Sequence, residues 1–227
     1  MTTLWLIRHA TTDANLRYHM IGQTDAPLGD VGRTQTCLLG KRLSSVRFDA
    51  IYTSPLQRAR QTAVGIAEQN ISHPAIHAMD ALQEIHLGEF EGESSFHAYE
   101  RSRSLMDQAL DPTVNDFAFP GGESRTAAVR RFHTAIQELF KTSPDRPICI
   151  VSHGAVIGLW LTWVHQHPLG TFRQFQPKHA SITTVTVQFP TRMSEETSMT
   201  SRNHEIEMPH SIRLDEFSDV AHLDAPK

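Results

Sequence analysis

The sequence has few cysteines and no long apolar run, and each of these absences excludes a class of protein. Only Cys37 and Cys149 occur among 227 residues, so we expect reduced, buried thiols instead of a disulfide framework. The longest apolar stretch, residues 155–164, is shorter than the roughly 20 residues that a membrane-spanning helix needs. The N-terminal segment also lacks the basic start and long apolar core of a signal peptide. We therefore expect a cytoplasmic protein that does not bind membranes.

The charge of the chain is close to balanced. Lys and Arg total 21 and Asp and Glu total 25, which gives a formal net charge of −4 with neutral His. A general nucleic-acid binder would show a basic excess, so we expect no nucleic-acid partner. Hydrophobic residues at 39% and charged residues at 20% are typical of a globular protein. The length suits a single domain, placed at residues 1–227, and a homodimer is compatible with this composition.

Apolar segments of strand type alternate with segments of helical period along the chain. Strands are predicted at 4–7, 48–52, 75–79, 147–151 and 181–189, with an edge strand at 211–214. Helices are predicted at 30–46, from Pro55, from Ser124, and at 154–164. This alternation predicts an α/β fold, a three-layer α/β/α sandwich with a mostly parallel central sheet.

Two segments interrupt this alternation. Residues 86–122 are charged, rich in serine and weakly periodic, and we expect a small helical or loop insert that lies over the active site like a cap. Its aromatic residues are expected to form a small core of their own: Phe90, Phe96, Tyr99 and Phe119. Residues 190–210 contain Ser, Thr, Glu and Met without a period, which predicts a mobile loop.

Charged and polar residues follow four of the predicted strands. Ligands of such sheets bind at the carboxyl ends of the strands. The sequence places there Arg8 and His9, then Ser54, Pro55 and Arg58, then Glu84, and finally Ser152, His153 and Gly154. Two guanidinium groups and two imidazoles suit a doubly charged oxyanion such as phosphate. The helix that begins at Gly154 adds the positive end of its dipole.

Each of these residues also has a structural interpretation. A histidine after a strand is commonly a hydrogen-bonded core or surface residue, and a glutamate there commonly caps a helix or pairs with a cation. Their joint occurrence at four strand ends favours the phosphate site. The fourteen histidines also raise the question of a metal. His165 and His167 are only two residues apart, with no carboxylate placed to complete a site, so we expect surface residues and no bound metal.

Several segments together resemble the histidine phosphatase superfamily, also called the phosphoglycerate-mutase-like family. They run in the family's order from residue 4 to about residue 223: LIRHATTDAN, GQTDAPLGDVGRTQ, DAIYTSPLQRARQTA, LQEIHLGEFEG, FPGGES, IVSHGAVI and FSDVAHL. The first is similar to the Arg-His-Gly signature, the third to the second-arginine segment and the fourth to the acid segment. The set is specific because seven segments match in order.

The resemblance implies a role for each strand-end residue. His9 is implied as the nucleophile that accepts the phosphoryl group, with Arg8, Arg58 and His153 as the phosphate clamp and Glu84 as the proton donor. No metal or other cofactor is implied, because the arginines and His153 supply the positive charge. The implied substrate-binding positions are Asn15, Gln23, Thr24 and Gly154.

The sequence departs from the family pattern at several positions. Ala10 replaces the usual glycine, Thr11 stands where many members carry Glu or Gln, and residues 21–23 lack the Thr-Gly pair that helps mutases to hold a substrate carboxylate. The insert is also short. These departures favour a phosphoric monoester hydrolase that acts on small-molecule phosphomonoesters, without metal, through a phosphohistidine intermediate.

Three other functions stay open. A cofactor-dependent phosphoglycerate mutase would return the phosphoryl group to its product. An alpha-ribazole phosphatase is suggested by the GQTDAPL segment, although that sequence is shared too widely to settle the substrate. A catalytically inactive, phosphate-binding regulatory module would keep the fold without the reaction, but the intact set of His9, Arg58, Glu84 and His153 speaks against it.

Overall fold

The computed structural model describes residues 1–142, 146–189 and 208–224. Its centre is a six-stranded sheet with the order β3-β2-β4-β1-β5-β6. The first four strands in this order are parallel, and the last two run antiparallel to their neighbours. The strands are β1 (Thr2–Arg8), β2 (Ala50–Thr53), β3 (Ala75–Ala78), β4 (Ile148–Ser152), β5 (Ile182–Gln188) and β6 (Ser211–Asp219).

Helices connect the strands and form the insert. The α-helices are α1 (Asp13–Leu16), α2 (Asp30–Leu43), α3 (Gln57–Gln69), α4 (Ser95–Arg101), α5 (Arg103–Leu110), α6 (Arg125–Thr142) and α7 (Gly154–Val164). Short 3-10 helices span Asp80–Leu82, Gly88–Phe90, Leu169–Phe175 and Ala221–Asp224. Within the described residues, no helix is long and apolar enough to cross a membrane.

Alternating residues of the central strands feed two hydrophobic cores, one on each face of the sheet. Leu4 and Leu6 of β1 point to the core built with α6 and α7, whereas Ile7 points to the core built with α2 and α3. All five residues of β4 are buried, as expected for a parallel strand covered on both faces. The predicted α/β fold with a mostly parallel sheet is thereby confirmed.

Several boundaries differ from the sequence prediction. Helix α3 begins at Gln57, two residues after Pro55, because Leu56 still has an extended backbone and occupies the N-cap. Strand β6 continues to Asp219 because it pairs along β5. The prediction of two buried thiols was wrong for Cys37, which is exposed on α2, whereas Cys149 is buried.

The insert contains two short helices, α4 and α5, and has a core of its own. Its buried members include Phe90, Ala98, Met106 and Phe119. The prediction for Phe96 was wrong, because that ring is 67% exposed and packs edge-on against Tyr18. Of the predicted mobile loop, residues 190–207 lie outside the described residues.

Candidate active site

Parallel pairing brings the ends of β1, β2 and β4 to one edge of the sheet. Strand β4 lies between the other two, with Arg8 in register with Ser152 and Thr53 in register with Val151. His9 and His153 therefore follow adjacent strands, and their ring centroids are 5.0 Å apart. The convergence that the strand-end residues predicted is present in the fold.

The His9 ring is held in one tautomer. Its Nδ1 lies 2.7 Å from the carbonyl oxygen of Ala10. A carbonyl oxygen can only accept, so Nδ1 carries the proton and Nε2 keeps its lone pair. Burial lowers the pKa of His9 well below its ordinary value, and the charges of His153, Arg58 and other neighbours lower it further. The ring is therefore neutral at neutral pH, as a nucleophile must be.

The two arginines are fixed by backbone carbonyls. Arg8 Nη1 donates to Pro177 O at 2.6 Å. Arg58 Nη1 donates to Thr24 O at 2.8 Å and its Nη2 to Gly22 O at 2.6 Å. Burial lowers the pKa of Arg8 to about 10, opposed by the charge of Glu84 and assisted by that of Arg58. Both guanidinium groups stay charged at neutral pH and are held by their outer nitrogens.

Several buried polar atoms of this cluster have no partner among the described residues. Within the described part of the chain, Arg8 Nε, Arg58 Nε and both ring nitrogens of His153 are buried and have no hydrogen-bond partner. Buried donors without partners are costly and need an explanation. Three residues that surround His9 thus present free polar atoms, which is what a phosphate-binding site requires.

Glu84 lies against the start of α7. Its Oε1 accepts from the backbone N–H of Ile85 at 2.9 Å and of Val156 at 2.8 Å, and its Oε2 accepts from Ala155 N–H at 2.9 Å. The carboxyl group therefore caps the helix that begins at Gly154. A carboxylate has about four lone-pair positions, so one position, on Oε2, is still open.

A loop at residues 21–24 supports Arg58, and Glu91 supports the loop. Glu91 accepts from Gly22 N, Gln23 N, Thr24 N, Thr24 Oγ1 and Leu87 N at 2.6–3.1 Å. Burial opposes ionisation, but hydrogen bonds from Thr24 and the backbone hold the pKa of Glu91 below its ordinary value. The carbonyl groups of the same loop accept from Arg58, so Glu91 and Arg58 are linked through three residues of backbone.

The residues proposed to bind substrate are largely engaged within the protein. Gln23 Nε2 donates to Glu84 O at 3.1 Å, and Thr24 Oγ1 donates to Glu91. Asn15 forms a reciprocal capping box with Thr12 at α1. Gly154 is needed for space, since a Cβ there would lie 2.7 Å from the central carbon of the Arg8 guanidinium.

The Ala10 departure is compatible with the site. Ala10 is fully buried, and its N–H donates to Thr62 Oγ1 at 3.1 Å. The residue is not among those with a positive φ, so the backbone there accepts a Cβ without strain. The glycine of the family signature is therefore not required in this chain.

Sequence reasoning missed His179. Its ring centroid lies 5.3 Å from that of His9, and its Nε2 is 2.8 Å from Arg8 Nη2. Burial, followed by the charges of Arg8 and Arg58, lowers the pKa of His179 to about 3. Because its ring is neutral, Nε2 can accept from Arg8. His179 lies in the loop before β5. It does not follow the carboxyl end of a strand, so the strand-end argument could not identify it.

The two other histidines considered, His165 and His167, stack on Phe175. Among the residues that the structure describes, no three His, Cys, Asp or Glu side chains are gathered as metal ligands would be.

Comparison with known proteins places the chain among phosphatases and mutases. The family model of the histidine phosphatase superfamily (branch 1) matches residues 4–194. An uncharacterized phosphatase PhoE of Bacillus subtilis is 32% identical over 71% of this chain and 77% of its own. A probable phosphoglycerate mutase GpmB of Klebsiella pneumoniae is 27% identical over 100% of this chain and 97% of its own.

A solved structure has the same fold over nearly its full length. It is the mycobacterial glucosyl-3-phosphoglycerate phosphatase in complex with VO3, with a TM-score of 0.77 and 26% identity. The alignment covers 95% of this chain and 98% of that one.

Proposed function

The chain belongs to the histidine phosphatase superfamily, and from this premise we propose that it hydrolyses small-molecule phosphomonoesters through a phosphohistidine at His9. One observation carries the proposal. A buried, neutral imidazole with its proton on Nδ1 is surrounded by unpartnered buried nitrogens of Arg8, Arg58 and His153. Such a set binds a phosphate dianion and presents a nucleophilic nitrogen to its phosphorus.

In the first step, His9 Nε2 attacks phosphorus and the bond to the ester oxygen breaks. The negative charge on the three other phosphoryl oxygens is stabilised by Arg8 and Arg58, which are already in place and need no reorganisation. Burial, followed by the charges of Arg58 and Arg8, lowers the pKa of His153 well below its ordinary value. In the free site His153 is therefore neutral, and one of its ring nitrogens, unpartnered among the described residues, can donate an N–H to a phosphoryl oxygen.

Glu84 supplies the proton to the leaving oxygen in this proposal. Three of its lone-pair positions accept backbone N–H groups, so the transferred proton sits at the open position on Oε2. The leaving alkoxide takes this proton as the phosphorus–oxygen bond breaks. The backbone N–H groups of α7 then hold the resulting carboxylate.

In the second step, water attacks the phosphohistidine. The Glu84 carboxylate takes a proton from the water as the new phosphorus–oxygen bond forms, and the bond to His9 Nε2 breaks. Inorganic phosphate leaves, while His9 is again neutral and Glu84 is again protonated. Each group thus returns to its starting state.

A mutase is less well supported than a phosphatase. The segment with which mutases help to hold a substrate carboxylate, residues 21–23, lacks the Thr-Gly pair, and the side chains of Gln23 and Thr24 already donate to Glu84 O and to Glu91. The alpha-ribazole phosphatase alternative concerns only the identity of the leaving alcohol. An inactive module would not need a Glu84 carboxyl group with an open lone pair near Arg8 and Arg58.

The test is the hydrolysis of 4-nitrophenyl phosphate by wild type and by His9→Ala. We expect the substitution to abolish turnover while the thermal unfolding transition persists, because His9 lies at a strand end outside both hydrophobic cores. His97→Ala is a matched control, since that ring is exposed on α4. A wild type without turnover, or a variant with substantial turnover, would overturn the proposal.

A further inference from the structure

We call Arg8, His9, Arg58, Glu84 and His153 the catalytic cluster. A pocket of about 280 Å³ lies beside this cluster, between the insert and α7. We call it the insert pocket. Most of its lining is apolar, with Met20, Ile85, Leu87, Met106, Phe119 and Leu159 among its walls. Small-molecule sites commonly span about 300–1,000 Å³, so the insert pocket suits a compact ligand.

Residues that line the insert pocket also contact the catalytic cluster through their backbone. Ile85 and Ala155 both line it, and their N–H groups hold the Glu84 carboxyl group. Gln176, another lining residue, precedes Pro177, which accepts from Arg8. A group that leaves from phosphorus beside Glu84 therefore has the insert pocket next to it.

Two arginines give the insert pocket a positive charge. Arg125 and Arg173 line it, and both donate to the carbonyl oxygen of Ala109, at 2.7 and 2.9 Å. In the described ranges, neither has a carboxylate within ion-pair distance, and the lining residue Glu123 is paired with Arg131 at 2.7 Å. The charge of Asp116 acts on Arg125, whereas the charge that acts on Arg173 is that of Arg125. Of the two arginines, Arg173 is therefore the one whose charge is not balanced by a carboxylate of the described residues.

The two arginines have different surroundings. Arg125 is 3% exposed and also donates to Val114 O, so it braces the insert. Arg173 is exposed and uses only Nη1 in the hydrogen bond to Ala109. Burial of part of its side chain lowers the pKa of Arg173, and the charge of Arg125 lowers it further. An anion beside Arg173 would relieve this repulsion.

We propose that the insert pocket binds the leaving alcohol of the substrate, and that this alcohol has a compact apolar body and an anionic group that pairs with Arg173. The proposal rests on the proposed function and narrows its substrate class. Apolar walls select the body of the alcohol, and the unbalanced charge of Arg173 selects its anionic end. A carboxylate suits the planar guanidinium of Arg173 through paired hydrogen bonds.

The test compares two esters of the same shape, 4-carboxyphenyl phosphate and 4-carbamoylphenyl phosphate. Wild type should show a kcat/KM about tenfold higher for the carboxylate ester, the size expected for one charged contact near the surface. In Arg173→Met this preference should disappear, and in Arg173→Lys part of it should return. Arg103→Met, an exposed arginine of the insert outside the pocket, should keep the full preference.

A binding measurement separates this proposal from the proposed function. Titration calorimetry with 4-hydroxybenzoate and 4-hydroxybenzamide needs no turnover, and wild type should bind the first more tightly while Arg173→Met should not. Equal affinities in wild type, or a preference that survives Arg173→Met, would overturn the pocket proposal even if both esters are hydrolysed. Absence of hydrolysis together with selective binding would overturn only the phosphatase proposal.

Discussion

Arg58 and Glu91 hold the same four-residue loop from opposite sides. Glu91 accepts N–H groups of residues 22–24, and Arg58 donates to the carbonyl groups of Gly22 and Thr24. The position of the Arg58 guanidinium therefore depends on a carboxylate that it does not contact. Glu91 is a positioning residue in this arrangement.

Replacing Glu91 by Gln should weaken phosphate binding. The amide nitrogen of Gln cannot accept the N–H groups that one carboxylate oxygen now accepts, so the loop and Arg58 should shift. We expect the inhibition constant of inorganic phosphate to rise, and kcat/KM to fall, by about tenfold, the loss expected from one misplaced charged contact. Glu89→Gln is the control, because Glu89 is exposed two residues away. A loss of stability with unchanged phosphate affinity would refute the positioning role.

Stability should fall on acidification below the ordinary pKa of histidine. His9, His153 and His179 all have a lowered pKa in the fold, so the unfolded chain binds more protons below about pH 6.5. The stabilising contribution of the three neutral rings is complete above that pH. It is lost as the pH falls towards the pKa that each ring has in the folded protein, which is about 3 for His179.

Denaturant unfolding at several pH values between 6.5 and 5 isolates the contribution of one ring. His179→Gln keeps a neutral acceptor for Arg8 but does not titrate. Its free energy of unfolding should depend less steeply on pH than that of wild type, by at most about 1.4 kcal/mol per pH unit. Parallel curves for the two proteins would contradict a lowered pKa at His179.

Glu84→Gln should impair hydrolysis in a way that depends on the leaving group. The amide cannot give up the proton, so turnover of an alkyl phosphate should fall by roughly 10²–10⁴. The phenolate of an aryl phosphate with an acidic phenol leaves without a proton from Glu84. The burst phase of such an ester should therefore be reduced much less. Rapid-quench measurement of both bursts decides the matter. Equal losses would assign Glu84 to capping α7 alone, with His153 the next candidate for the acid.

Chelation should leave hydrolysis unchanged. Arg8 and Arg58 already provide the positive charge that a metal ion would provide in a metal-dependent phosphatase. We expect the same kcat/KM before and after dialysis against EDTA, with added Mg²⁺ or Zn²⁺ giving no increase. Loss on dialysis and recovery with either ion would mean that the charge comes from elsewhere.

The strand ends were predictable because parallel strands place their carboxyl ends at one edge. Arg8, His9 and His153 follow apolar segments directly, so their convergence could be read from the sequence alone. The insert was harder, because its core joins residues as distant as Phe90 and Phe119 without a periodic pattern. The exposure of Phe96 could not be foreseen, since composition alone does not distinguish a core ring from a surface one.

The supporting residues of the site were not predictable in the same way. Glu91 acts on backbone N–H groups of a loop, and backbone groups leave no signature in side-chain type. His179 reaches the site from a loop before an antiparallel strand, where no strand-end rule applies. The arginines were predicted to clamp phosphate, yet their outer nitrogens already donate to carbonyl groups and to His179, and Nε is the nitrogen of each that has no partner among the described residues.

Phosphoryl transfer to His9 is tested most directly by isolating the intermediate. Wild type mixed with a phosphate-labelled aryl ester and quenched in alkali within the burst should carry up to one label per chain, released by acid and mapped to the peptide that contains His9. His9→Ala treated in the same way should carry none. Label on another residue, or burst turnover without any acid-labile label on wild type, would contradict a phosphohistidine mechanism.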